Sequence, residues 1–126
     1  MDDTEFLHAF EHGALPDFPH QSHLRMAWLY LRAGTWEDGM ARICAGIRRL
    51  DAHHGGRKYH ETITQFWARM VSQAIVQSPD AADFAAFIAQ HPELLDGKLI
   101  TQFYSPDLLH SEQARREWVK PDLRPF

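Results

Sequence analysis

Histidine is the residue type whose number and placement in this sequence could support chemistry. The chain has nine histidines in 126 residues, and they concentrate between positions 20 and 60: His20, His23, His53, His54 and His60. Neutral imidazole is the commonest metal-ligating side chain, and it titrates close to neutral pH. The segment therefore suggests either a metal site or a site for acid–base catalysis.

The spacing of His20 and His23 fits a joint role on one helix. Side chains three residues apart on a helix lie about 5–6 Å from each other at Cβ. With His20 at 0°, His23 falls at about 300° and Leu31 at about 20°, because each helical residue advances about 100°. Both imidazoles are thus predicted to lie on or beside the apolar stripe that faces the core.

His60 is predicted to face the core in the same way. If its helix begins near Lys58, with His60 at 0°, then Trp67 falls at about 340°, Val71 at about 20° and Glu61 at about 100°. His60 then lies on the buried stripe, with the Glu61 carboxylate on its flank.

The resulting hypothesis is a metal-dependent enzyme, a hydrolase or an oxygenase. His20, His23 and His60 would be ligands of Zn²⁺ or Fe²⁺, with an open position for water. Glu61 would be a fourth ligand or the general base that activates the bound water, and His60 and Glu61 are the predicted catalytic residues. The substrate would be a small molecule, and an anionic one would suit nearby helix N-termini.

Other interpretations of the same residues stay open. A His60–Glu61 or His20–His23 pair could perform acid–base catalysis without a metal. The histidines could instead be structural, hydrogen-bonded residues of a non-catalytic protein that binds a small ligand or packs against a partner subunit. Metal handling without chemistry is less favoured, because the sequence has no Met-rich or Cys-rich runs.

Helical signals run along the whole chain, and no segment alternates as a β-strand would. We expect a single all-α domain over residues 1–126, with four to five main helices, short C-terminal helices and an extended tail. The main helices are predicted at residues 3–12, from 19 or 22 to 33, 36–51, 58–77 and from Ser78-Pro79 to 90.

Short links predict how the helices are arranged. The Gly34-Thr35 link should make the second and third helices antiparallel, and the fourth should reverse again. Six histidines would then converge on one end of a bundle: His20, His23, His53, His54, His60 and His91. Tyr104 could also reach that end, but its place in the chain does not fix this.

Composition excludes several classes of protein. The net charge of −4 and the pI near 6.1 argue against a nucleic-acid partner. No apolar run approaches the roughly 18 residues of a membrane span. Cys44 is the single cysteine, so no intramolecular disulfide can form, and the acidic start lacks the positive region of a secretory signal. A cytoplasmic protein is expected, and Trp36 or Phe126 could mark a contact in a homo-oligomer.

Two pairs of arginines are less specific. Arg48-Arg49 and Arg115-Arg116 are expected to be solvated, although either pair could bind a carboxylate.

Several segments resemble a family of small, uncharacterised bacterial proteins. The first two are FPHQSHL at residues 18–24 and KYHETIT at residues 58–64, followed by Ala27-Trp28 and Phe66-Trp67. The motifs YSPD at 104–107 and PDL at 121–123 resemble later segments of the same family, so the resemblance spans most of the chain. It implies a small helical bacterial protein, and it supplies no reaction.

Overall fold

The computed structural model describes all 126 residues, and its regular structure is entirely helical. Seven α-helices and two 3₁₀ helices occur, without a strand, which confirms the all-α prediction. The chain forms two compact units, residues 1–59 and residues 60–126. That the chain works as a single domain stays a prediction.

The first unit contains three helices: α1 (Asp3–Glu11), α2 (His20–Ala33) and α3 (Trp36–His53). The Asp2 carboxylate caps α1 by accepting from the backbone N–H of Glu5, and the Thr35 hydroxyl caps α3 by accepting from that of Asp38. The two-residue link at Gly34-Thr35 reverses the chain, so α2 and α3 pack as a helical hairpin.

A glycine lets α1 approach α3 closely. A Cβ built on Gly46 of α3 would lie 2.1 Å from Cε2 of Phe10, so no larger residue fits unless the ring moves. Phe10 is fully buried and stacks on Phe18, with ring centroids 5.3 Å apart, and Leu24 and Ile43 are also fully buried. These apolar side chains form the core of the first unit.

The second unit contains the remaining helices. They are α4 (Glu61–Gln77), α5 (Phe84–Gln90), 3₁₀ helices Pro92–Leu95 and Leu99–Gln102, α6 (Pro106–Leu109) and α7 (Glu112–Arg116). The tail folds back on this unit, because Asp122 accepts hydrogen bonds from the backbone and hydroxyl of Ser105. The ring of Phe126 stacks on Phe103 and Trp118.

Two predicted helix starts are wrong. The fourth helix begins at Glu61 instead of near Lys58, because the Asp51 carboxylate accepts from the backbone N–H groups of Lys58 and Tyr59 and holds them outside the helix. The fifth helix begins at Phe84 with Asp83 as its N-cap. Ser78 instead ends α4.

Candidate functional site

The predicted ligands are divided between the two units. His20 and His23 lie in the first turn of α2, within the first unit. His60 and Glu61 lie at the start of α4, within the second unit.

His23 is the predicted ligand with an unsatisfied nitrogen. Its Nε2 atom is buried and has no hydrogen-bond partner. Its ring packs against Phe18, with the ring centroids 6.0 Å apart. The prediction that His23 points inward is therefore confirmed.

The surroundings of His23 keep its imidazole neutral. Burial, and to a lesser extent the neighbouring charge of His20, together lower the pKa of His23 from 6.5 to about 4. At neutral pH the His23 ring is therefore uncharged, which is the form in which an imidazole binds a metal or exchanges a hydrogen bond. His20, the first residue of α2, is half-buried beside it.

His60 is buried, and both of its ring nitrogens are hydrogen-bonded within the second unit. It is the N-cap of α4, and its Nδ1 accepts from the backbone N–H of Ile63 at 3.1 Å. Its Nε2 lies 2.7 Å from the backbone oxygen of Leu109. A carbonyl only accepts, so Nε2 carries the proton and Nδ1 is the acceptor. His60 thus joins the start of α4 to the end of α6.

Burial also lowers the pKa of His60, partly opposed by the hydrogen bond to Leu109. The neutral tautomer with the proton on Nε2 is therefore the stable form. In this arrangement neither nitrogen offers a lone pair to another group.

Glu61 lies beside His60 in the chain, but its carboxylate has a local partner. Its Oε2 accepts from Nε2 of Gln65 at 2.6 Å, one helical turn further on. Across the 126 described residues, no group of three or more His, Cys, Asp or Glu side chains is placed to hold a metal ion. The metal and catalytic roles of His20, His23, His60 and Glu61 stay predictions.

The other histidines have separate surroundings. His53 lies against Gly13, whose φ of 64° and lack of Cβ leave room for the ring. Buried His91 exchanges a hydrogen bond with the Ser78 hydroxyl, with Nε2 2.8 Å from Oγ. Those at positions 54 and 110 are exposed.

His8 and His12 form an exposed pair at the C-terminal end of α1, where His12 is the C-cap. Their ring centroids are 4.2 Å apart, and Nδ1 of His12 lies 2.8 Å from the backbone oxygen of His8. Their spacing of four residues was visible in the sequence, and it also suits adventitious metal binding.

A polar network beside α4 was missed by sequence reasoning. The Thr62 hydroxyl donates to the backbone oxygen of Glu117 and accepts from the N–H of Val119. Buried Tyr104 donates to the Val119 oxygen at 2.6 Å. These partners are 15 to 57 residues apart along the chain, so no local pattern indicates them.

Comparison with known proteins finds no relative of this chain. No family model, curated protein or solved structure matches this chain. None of its helices combines the length and the apolar character that crossing a membrane requires.

Proposed function

We propose that this protein is a metal-dependent enzyme that acts on a small molecule, with His20 and His23 as the histidine ligands of a Zn²⁺ or Fe²⁺ ion. The observation that carries the proposal is the buried Nε2 of His23, which has no hydrogen-bond partner. Buried polar atoms almost always have a partner, and leaving one without costs about 1–3 kcal/mol. A bound ion would supply that partner.

The position of the pair supports this role. The two residues are three apart in the first turn of α2, so their side chains are neighbours on the helix surface. The neutral state of His23 leaves a lone pair on the ring. Water and substrate would complete the coordination, and the bound ion would supply hydroxide near neutral pH.

In this proposal His60 is a structural residue, because its nitrogens already cap α4 and bind Leu109. Three further points stay predictions: Glu61 as a ligand or general base, an anionic substrate, and assembly into a homo-oligomer. A cytoplasmic location and membership of the bacterial family resembled by residues 18–24 and 58–64 stay predictions as well.

Zinc titration by calorimetry tests the histidine pair. Every sample carries His8→Gln, which removes the exposed His8–His12 pair as a competing site. We expect one zinc ion per chain, and an affinity at least tenfold lower in His20→Phe and in His23→Phe, because each variant loses one ligand.

The matched control is His60→Gln, which should bind zinc as its parent does. The same titration with Fe²⁺ under anaerobic conditions distinguishes the two ions. Unchanged affinity in both phenylalanine variants, or no saturable binding of either ion by the parent, would contradict the proposal.

The alternative is a non-catalytic helical protein that binds a small ligand and uses histidines to hold its helices. Two buried histidines support it, since His60 bonds to Leu109 and Ile63 while His91 bonds to Ser78. This alternative gains if zinc and iron do not bind but His60→Ala strongly destabilises the second unit.

A further inference from the structure

A small cleft opens on the first unit, where the end of α1 meets α2 and α3. Its volume is about 190 Å³, and its lining residues are Glu11, Tyr30, Arg42, Ala45 and Arg49. Drug-sized ligands usually occupy about 300–1,000 Å³, so a ligand of this cleft would be a small molecule.

The Tyr30 hydroxyl is an unused donor at this cleft. The residue is 8% exposed, its ring packs against Phe10, and its hydroxyl oxygen is buried without a hydrogen-bond partner. Burial raises the pKa of Tyr30, and the nearby Glu11 carboxylate raises it further. The Glu11 carboxylate lies close enough to attract the phenolic proton, and this attraction also raises the pKa, but the pair falls outside the distance and angle of a formed hydrogen bond. Tyr30 therefore keeps its proton and can donate it to an acceptor in the cleft.

Two arginines give the cleft a positive charge. Arg42 and Arg49 are seven residues apart on α3, which places them on one face of the helix. Arg42 Nη1 lies 3.7 Å from Oε2 of Glu11, and Arg49 Nη1 donates to the Glu11 backbone oxygen. The two guanidinium groups outnumber the single carboxylate, so a net positive charge remains after Glu11 is counted.

Glu11 indicates which anion the cleft suits. Its carboxylate is a flat, singly charged group in the lining of the cleft, and at 3.7 Å from Arg42 Nη1 it is not bound closely to that guanidinium group. A carboxylate can accept from a guanidinium group and a phenol together. A phosphate carries up to two charges and would face more repulsion from Glu11.

We propose that this cleft binds a small organic carboxylate, which accepts hydrogen bonds from the Tyr30 hydroxyl and the Arg42 guanidinium while Glu11 turns away. Arg49 adds positive charge and fixes the end of α1. The site is separate from the proposed metal site, because Tyr30 and His23 are seven residues apart on α2, or about 10 Å along the helix axis.

NMR titration of the full chain with sodium acetate tests this proposal, followed on the Arg Nε–H signals and on the α3 amides at constant ionic strength. We expect saturable shifts in the millimolar range. Affinity should fall about tenfold in Tyr30→Phe and in Arg42→Gln, which each lose one charged or charge-assisted contact. It should rise severalfold in Glu11→Gln, which removes the competing carboxylate.

Arg48→Gln is the matched control on α3, because Arg48 lies over the Tyr59 ring, outside the cleft lining. It should bind acetate as the parent does, and so should His23→Phe, which separates this test from that of the metal site. Shifts equally strong with chloride, tighter binding of inorganic phosphate, or unchanged acetate affinity in Tyr30→Phe and Arg42→Gln would each overturn the proposal. So would the absence of saturation in both the parent and Glu11→Gln.

Discussion

Acid should destabilise the first unit through His23 more than through any exposed histidine. The pKa of His23 is about 4 in the folded chain, against 6.5 for an unperturbed histidine. Because the folded-state value is the lower one, the contribution of His23 to stability is complete above pH 6.5. It is lost as the pH falls from 6.5 through 4.

The size of this loss follows from the two pKa values. At about 1.4 kcal/mol per pKa unit, the full difference corresponds to about 3 kcal/mol below pH 4. At pH 5 the unfolded ring is almost entirely protonated while the folded ring is mostly neutral, so about 2 kcal/mol is already lost. This is a large part of the stability of a small domain.

The assay compares the parent with His23→Leu, a buried apolar replacement that cannot titrate. Urea unfolding is followed at pH 7.5 and pH 5, with a chelator present, through the NMR signals of α2 amides, because these report the first unit alone. The parent should lose about 2 kcal/mol more than the variant between the two pH values. The other histidines are present in both proteins, so their effects cancel.

His54→Leu is the control, since His54 is exposed at the end of α3. It should keep the full pH dependence of the parent. An equal loss of stability between pH 7.5 and pH 5 in the parent and in His23→Leu would refute the argument that burial keeps this ring neutral.

Three further predictions concern packing and hydrogen bonds. His60→Ala should lower the free energy of unfolding of the second unit by about 2–4 kcal/mol, measured by urea unfolding, because it removes a helix cap and leaves a buried carbonyl unpaired. Burial raises the pKa of Tyr104 to about 12. The contribution of its protonated phenol to the free energy of unfolding is therefore complete below pH 10, and up to about 3 kcal/mol is lost as the pH rises through 12. Tyr104→Phe should lack this alkaline loss in unfolding curves measured between pH 9 and 12. An equal loss of stability in the parent and in Tyr104→Phe would contradict the prediction. Gly46→Ala should lower the melting temperature through its clash with Phe10, whereas Gly34→Ala, with nothing within 4 Å of the added Cβ, should leave it nearly unchanged.

Local sequence patterns predicted which helices occur better than they predicted where each helix begins and ends. Thr35 was predicted as an N-cap and is one, because capping depends on residues only three apart. Ser78-Pro79 was predicted to open a helix, but a serine before proline can also follow a helix end. Here the Ser78 hydroxyl lies between Gln90 and His91, which no local pattern indicates.

The two candidate ligand histidines show where prediction from the sequence stops. Periodicity placed His23 inward correctly, because α2 does begin at His20. The same reasoning placed His60 on a helix face, although its φ of −140° puts it just outside the helix. Its second partner, Leu109, is 49 residues away, so the packing of the second unit determines that bond.

The hydrogen bonds of His60 and Thr62 to residues far along the sequence affect how the chain folds during synthesis. α4 leaves the ribosome before the residues that complete its N-terminal surroundings, which are Leu109, Glu117 and Val119. Until those residues have been made, Nε2 of His60 and the Thr62 hydroxyl can bond only to water, whereas Nδ1 of His60 can already accept from the N–H of Ile63. A nascent chain stalled before residue 109 would therefore carry an incomplete second unit, the kind of species that chaperones and proteases recognise.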